Sequence, residues 1–423
     1  VSKNTALDEL QVQDNQLTTL DLSNNTALAT LHIEHNQLTY LNMKNGVTDE
    51  LEYFTARNNS LTCIETSDPD YATANWTNID SGVTFGVFCS SVDRTKWHVA
   101  TTGSDGSGSG TEASPLASIQ TAINASTDGD TVSVAAGTYV ENINFRGRNI
   151  KVVGEDRETT IIDGNQNGPV VDCYFNDNMY FTPVLQSVTL TNGVGINFES
   201  NILGGGIFAR YSNPQLNDVM ITNCSANLGS AIYTYNPATS DITTIKNCVI
   251  TGNTAGANDG TIHATTSNIK IVSSLISDNS SGGGLFFDGI DVSSQVINSS
   301  IINNANNMGV MLQGGTNTII NSIISGNEST QLRILSSCNL TVEYSDIDGG
   351  QDSVLVEGNA VLNWGSGNID KNPSFVDAAN GDYSLLNYSP AIGAGASSVT
   401  ISDVTYNAPS TDMVGNPRPN PAG

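Results

Sequence analysis

The sequence predicts an all-β solenoid, and three observations carry the prediction. A strand-like motif beginning at Leu185 recurs from Leu216, Ile245, Ile271, Val296, Ile319 and Val342, at intervals of 31, 29, 26, 25, 23 and 23 residues. Nearer the amino end a different pattern recurs at a shift of 21 residues. The composition suits both, because 40 glycines, plentiful Asn, Ser and Thr and only 13% charged residues favour short strands and turns over helices.

The first module is read from its leucines. Leu7, Leu10, Val12, Asn15, Leu17, Leu20 and Leu22 recur as Leu28, Leu31, Ile33, Asn36, Leu38, Leu41 and Met43, and a longer third turn supplies Leu51, Phe54, Ala56, Asn59 and Leu61. This is a leucine-rich-repeat pattern: each coil adds a short strand, stacks its leucines inward and uses Asn to satisfy backbone groups at the bend. Cys63 and Cys89 flank an aromatic segment with Tyr71, Trp76 and Phe85, which is expected to shield the last leucine layer. The two cysteines are the candidate disulfide, and a disulfide implies an oxidising compartment. The stretch NNSLTCIETSDPDYATANWTNIDSGVTF resembles the end of leucine-rich regions in surface proteins of the Bacteroidetes. The first domain is therefore expected to span residues 1–91.

The second domain is assigned to 92–423. After the Gly/Ser-rich run TTGSDGSGSGTEAS, Ser114 as N-cap, Pro115 at the first helical position and the spacing of Leu116, Ile119, Ala122 and Ile123 predict one short amphipathic helix. Strand-like runs TVSVAAGTYV, NIKVVGE and TTIIDGN follow, so the helix is expected to cap the open end of a right-handed parallel β-helix. The run KWHVATTGSDGSGSGTEASPLASIQTAINASTDGDTVSVAAGTYVENI resembles the entry segment of pectate-lyase-like parallel β-helix proteins. The run NIDKNPSFVDAANGDYSLLNYSPAIGAGA resembles the closing segment of bacterial β-helix surface proteins, where an anchoring or sorting domain often follows.

Within the repeats, Asn253, Asn279, Asn304 and Asn327 fall in register and read as an asparagine ladder along the stack. A second motif alternates with the first and places Ile207, Ile232, Ile262, Leu285, Val310 and Leu332 inward. Their successors form an outward column of Phe208, Tyr233, His263, Phe286, Met311 and Arg333. A second column, two residues on, holds Arg210, Tyr235, Asp288 and Gln313. Exposed aromatics on a rigid sheet stack on sugar rings, so these ten residues are the candidate ligand-binding face. The alternative is a face covered by loops or by a neighbouring subunit.

The remaining chemistry is sparse. A net charge of −27 argues against nucleic acid or anionic membrane as partner, since both demand a basic surface. No apolar run is long enough to span a bilayer. The chain opens inside a repeat, so an export signal is expected outside it, and an extracellular or bacterial cell-surface location follows. Cys173, Cys224, Cys248 and Cys338 lack metal-like spacing and are expected as small buried side chains. In SDIDGGQD, Asp346 and Asp348 flank the inward Ile347 and, with Asp352, are the candidate Ca²⁺ ligands, although the run falls short of an EF-hand loop.

Parallel β-helices host uronate lyases, which need a Lys or Arg base and a cation at the substrate carboxylate. Arg210, Lys246, Lys270, Arg333 and His263 are the available bases, with Lys246 and Lys270 expected near each other, but no acidic cluster stands beside them. No catalytic residues are assigned. The favoured reading is a non-catalytic, adhesin-type surface protein whose β-helix face binds glycan or another surface component. A polysaccharide lyase and a structural stalk are the alternatives.

Overall fold

In a computed structural model, the chain is an all-β right-handed parallel β-solenoid of about 14 turns with few helices. The structure describes residues 3–89, 94–175, 179–236, 241–257, 259–305 and 308–418. Two compact units emerge, Val1–Gly137 and Thr138–Gly423. The boundary expected at residues 91 and 92 lies outside the described residues.

In the first unit, short strands stack in two parallel sheets. One contains Glu9–Gln11, Thr30–His32 and Tyr53–Thr55, with Leu10, Leu31 and Phe54 in register. The other contains Thr19–Asp21, Tyr40–Met43, Cys63–Thr66 and Thr84–Gly86. Leu22, Leu28, Leu31, Ile33, Leu38, Leu41, Met43 and Ile64 form its core. The asparagines hold the bends: the Asn36 side-chain carbonyl accepts from Leu17 N–H at 3.0 Å and its amide donates to Val12 O at 2.8 Å. Asn59 repeats this with Leu38 N–H and Ile33 O. Trp76 closes the stack by lying on Phe54, and a disulfide joins Cys63 to Cys89.

Two short helices are described in this unit, Pro69–Asn75 and Ile119–Ala125, and the second starts later than expected. Ser118, not Ser114, is its N-cap, with a side chain that accepts from Thr121 N–H. Ser114 instead bridges to Thr111, and Leu116 to Val99, so Pro115 lies in extended chain before the helix. Ile119, Ala122 and Ile123 are buried, as amphipathic spacing demands.

The second unit carries the long repeats, and most of its coils contribute three strands. One coil is Asn268–Val272, Leu275–Ser277 and Gly283–Asp288, and the next is Ser293–Ile297, Ser300–Ile302 and Met308–Gln313. The corner between the first two strands is a single left-handed residue in each coil: Asn247, Ser273, Asn298, Asn321 and Tyr344. Asn and Ser tolerate that backbone better than most side chains, which explains their abundance there. The asparagine ladder is continuous. The Asn253 amide donates to Asn279 Oδ1 at 3.0 Å, Asn279 to Asn304 Oδ1 at 2.8 Å, Asn304 to Asn327 Oδ1 at 3.0 Å and Asn327 to Gln331 Oε1 at 2.8 Å.

A second ladder, of serines, runs along the left-handed corner. Ser274 N–H donates to Ser299 Oγ, Ser299 N–H to Ser322 Oγ and Ser322 N–H to Ser345 Oγ, at 3.2 to 3.3 Å. Cys248 takes the same position one coil earlier, its N–H donating to Ser274 Oγ at 3.1 Å. All four remaining cysteines are buried. Burial pushes the thiols of Cys224 and Cys248 up to about 12 and that of Cys338 up to about 11.

Candidate functional site

The inward residues Ile207, Ile232, Ile262, Leu285, Val310 and Leu332 stack in register, and all are buried. Their successors therefore form one column: Phe208, Tyr233, His263, Phe286, Met311 and Arg333 pair rung by rung. Asp172 precedes Phe208 in the same column. The second column is Arg210, Tyr235, Thr265, Asp288, Gln313 and Leu335, so Thr265 and Leu335 belong to it as well.

The register holds, but the expected exposure does not. Phe208 is 1% exposed, His263 5%, Met311 6% and Tyr233 9%. The cover comes from the longest coils. The antiparallel hairpin Ile196–Phe198 with Asn201–Leu203, together with Tyr174 and Leu228, packs onto Phe208 and Tyr233. Farther along, coil length shrinks and the face opens in part: Phe286 and Asp288 are partly exposed and Gln313 is exposed, while Met311 stays buried. Arg333 is partly exposed and pairs through Nε with Glu357 at 2.8 Å.

His263 is the most constrained polar group in the column. Its Nδ1 lies 2.9 Å from both carboxylate oxygens of Asp259, and its Nε2 lies 2.8 Å from Thr265 Oγ1 and 3.6 Å from Asp288 Oδ1. Burial alone would lower its pKa, but the hydrogen bonds and charges of Asp259 and Asp288 outweigh burial and raise it to about 9. The carboxylates of Asp259 and Asp288 thus favour the imidazolium form, and the ring is held between Tyr233 and Phe286. A protonated, enclosed ring is poorly placed to act as a base. Asp172 is also perturbed: burial pushes its carboxyl up to about 6, against hydrogen bonds from Tyr174 N–H and Asn144. Asp172 lies three rungs from His263, about 14 Å at the usual strand spacing, too far for both to serve one glycosidic bond.

The accessible aromatic surface sits at the edge of this column. Tyr180, Tyr211 and Tyr235 meet edge to face, with ring centroids 5.8 and 5.9 Å apart, and Tyr180 is 37% exposed. The Arg210 guanidinium lies over Phe198 at 4.7 Å, Tyr211 at 5.1 Å, Tyr174 at 5.6 Å and Tyr235 at 5.7 Å. Each contact of this kind is worth about 0.5–2 kcal/mol, enough together to fix the cation and the rings. Sequence alternation found Arg210 and Tyr235. It missed Tyr174, Tyr180 and Tyr211, which lie at strand ends or in connections with no periodicity to reveal them.

The other candidates do not converge. Lys246 pairs with Asn217 and Val272, whereas Lys270 pairs with Thr244 and Gln295, so the two lysines are offset by two residues rather than stacked. Among the described residues no group of three or more His, Cys, Asp or Glu side chains is placed to hold a metal. Asp346 is buried, and its Oδ1 accepts from Lys371 N–H at 3.0 Å. Asp348 accepts from Gly326 N–H, and Asp352 is exposed in the short helix Gln351–Ser353. Asp346 and Asp348 thus serve different backbone groups, and Asp352 stands apart after the glycine turn.

No family model matches the chain, and no curated protein does. Among solved structures it is similar to XylC in complex with xylose, at 12% identity and a TM-score of 0.41, over 63% of this chain and 68% of that one. A rhamnogalacturonan lyase is similar at 15% identity and a TM-score of 0.37, over 70% and 96%. The pectate lyase Pel9A is similar at 14% identity and a TM-score of 0.33, over 76% and 95%.

Proposed function

We propose that the unit Thr138–Gly423 is a non-catalytic glycan-binding surface of an extracellular or cell-surface protein. The observation that carries this reading is the half-exposed tyrosine array at Tyr180, Tyr211 and Tyr235, pinned from below by Arg210. Rings spaced about 6 Å apart and held by the half-buried Arg210 guanidinium offer apolar faces at little entropic cost, as sugar stacking requires. The open rungs beyond, with Asp288 and Gln313, supply polar partners for sugar hydroxyls. The leucine-rich reading of the first unit belongs to the same proposal, and the Cys63–Cys89 disulfide supports an oxidising location.

Glycan-array binding by the full chain tests it. Tyr211→Ala and Tyr235→Ala are each expected to weaken binding tenfold or more, without release of product. The appearance of unsaturated uronate ends, seen as new ultraviolet absorbance with pectin or alginate, would favour a lyase instead. Binding that both substitutions leave unchanged would remove the tyrosine face from the reading.

A further inference from the structure

The closing segment of the second unit folds back along the solenoid and encloses space there. It contains two antiparallel hairpins, Phe375–Asp377 with Asp382–Leu385 and Ser398–Ile401 with Val404–Asn407. It is pinned at a few points only. Tyr383 Oη donates to Asp278 Oδ1 at 2.6 Å, and Asn321 exchanges hydrogen bonds with the backbone of Ala396 at 2.7 and 2.8 Å. Arg418 donates to Ser273 Oγ at 3.3 Å. Between these pins and the coils lies a cavity of about 1110 Å³, slightly larger than the range of about 300–1,000 Å³ usual for small-molecule sites.

The floor of the cavity is an outward column, Ser300, Ile323 and Asp346, paired rung by rung. Outward direction follows from alternation, because Ile301, Ile324 and Ile347 beside them are buried in the solenoid core. Asp346 is only 4% exposed, and although its Oδ1 accepts from Lys371 N–H, its Oδ2 is buried with no hydrogen-bond partner. Such an acceptor costs about 1–3 kcal/mol or more when left unmet. Burial holds the carboxyl above its usual range, with the charges of Asp370 and Asp348 acting in the same direction. The coil uses one oxygen of this side chain, as the acceptor for Lys371 N–H, and the equivalent positions in the two preceding coils are Ile323 and Ser300.

We infer that this cavity is a binding site for an uncharged saccharide, one hydroxyl of which donates to the Asp346 carboxylate once that side chain turns out of its closed position. The rest of the lining fits that class. Asn298, Asn387 and Asn416 offer both donors and acceptors, Tyr344 supplies ring surface, and the charges of Arg418 and Asp412 in the same wall offset each other. A hydroxyl on a carboxylate makes a short, charge-assisted hydrogen bond and brings no second charge into a buried place. The site is separate from the tyrosine face and does not depend on it.

Titration calorimetry of the full chain with cellohexaose, xylohexaose, mannohexaose and chitohexaose tests the inference. At least one hexamer is expected to bind. In a Tyr211→Ala/Tyr235→Ala background, which removes the tyrosine face, Asp346→Asn, nearly isosteric, should weaken it tenfold or more, and Ser300→Trp, which fills the floor, should abolish it. Thermal melting controls for folding: without sugar, Asp346→Asn should melt no lower than the parent, because an unmet carboxylate has been removed. Failure of all four hexamers, unchanged affinity in Asp346→Asn, or a lowered melting point in that variant would each overturn the inference. So would tighter binding of the glucosamine hexamer than of chitohexaose, which would mark the site as one for cations.

Discussion

Both units place asparagine at their bends, yet the side chains are wired differently. In the first unit Asn36 and Asn59 each bind the backbone of the preceding coil, and each bend is closed locally. In the second, every ladder asparagine also bonds the next, from Asn253 to Asn327, and Gln331 terminates the run. One residue type thus serves as an independent clip in one place and as a link in a chain in the other. The difference follows from burial: Asn253, Asn279, Asn304 and Asn327 are at most 2% exposed, so water cannot finish their hydrogen bonding, and neighbours must.

The comparison breaks most readily at Asn279. Its Oδ1 accepts from the backbone and side-chain nitrogens of Asn253, and its amide donates to Ile250 O and Asn304 Oδ1. Asn279→Ala leaves several buried groups unmet and is expected to cost about 4 kcal/mol in urea unfolding, whereas Asn59→Ala, where water reaches the gap, should cost about 1–2 kcal/mol. Equal losses at the two positions would erase the distinction.

Neither ladder contains an ionisable group, so pH dependence should arise elsewhere in the second unit. His263 is held at about 9 in the folded chain against an ordinary 6.5. Its contribution is fully present below about pH 6.5 and is lost as pH rises through about 9. The urea midpoint should therefore fall between pH 7 and pH 10, and His263→Gln should flatten that fall. A Gln variant with an undiminished slope would place the titration on another group.

The serine corner should respond least. Ser299 Oγ accepts from Ser274 N–H and donates to Ile297 O. Ser299→Ala is expected to cost about 1 kcal/mol. Cys248→Ser should change stability by under about 0.5 kcal/mol, because the link to Ser274 Oγ comes from the Cys248 backbone N–H and a hydroxyl can donate to Lys246 O as the thiol does. A large loss there would mean that sulfur packing, not hydrogen bonding, dominates the corner.

The parts of the fold that repeat were legible. Motif spacing located the strands, and alternation sorted Ile262 from His263 and Leu285 from Phe286 correctly. What failed was exposure. Alternation reports only which way a side chain leaves its own strand, and the hairpin over Phe208 and Tyr233 comes from a connection with no period of its own. The extra length of the 31- and 29-residue coils signalled a wall, but not which residues form it. Tyr211, left-handed and at a strand end, gave no pattern to read. The serine ladder was visible as Ser274, Ser299, Ser322 and Ser345 at one motif position, yet serine is so common in this chain that its register passed as composition. The helix began at Ser118 rather than Ser114 because a bridge to Val99 keeps Leu116 extended.

The ladders also make the later coils interchangeable units of height. From Asn304 to Asn327 and from Ser299 to Ser322 the step is 23 residues, and both chains of hydrogen bonds would reconnect if one such coil were removed or copied. Each insertion would lengthen the molecule by about 4.8 Å and leave both ladders satisfied, with only the contacts of the closing segment to Asp278 and Asn321 left to re-form. The solenoid is in this sense graduated like a ruler: its length is free to change in whole coils, and any surface carried beyond a given coil moves with it by a fixed increment.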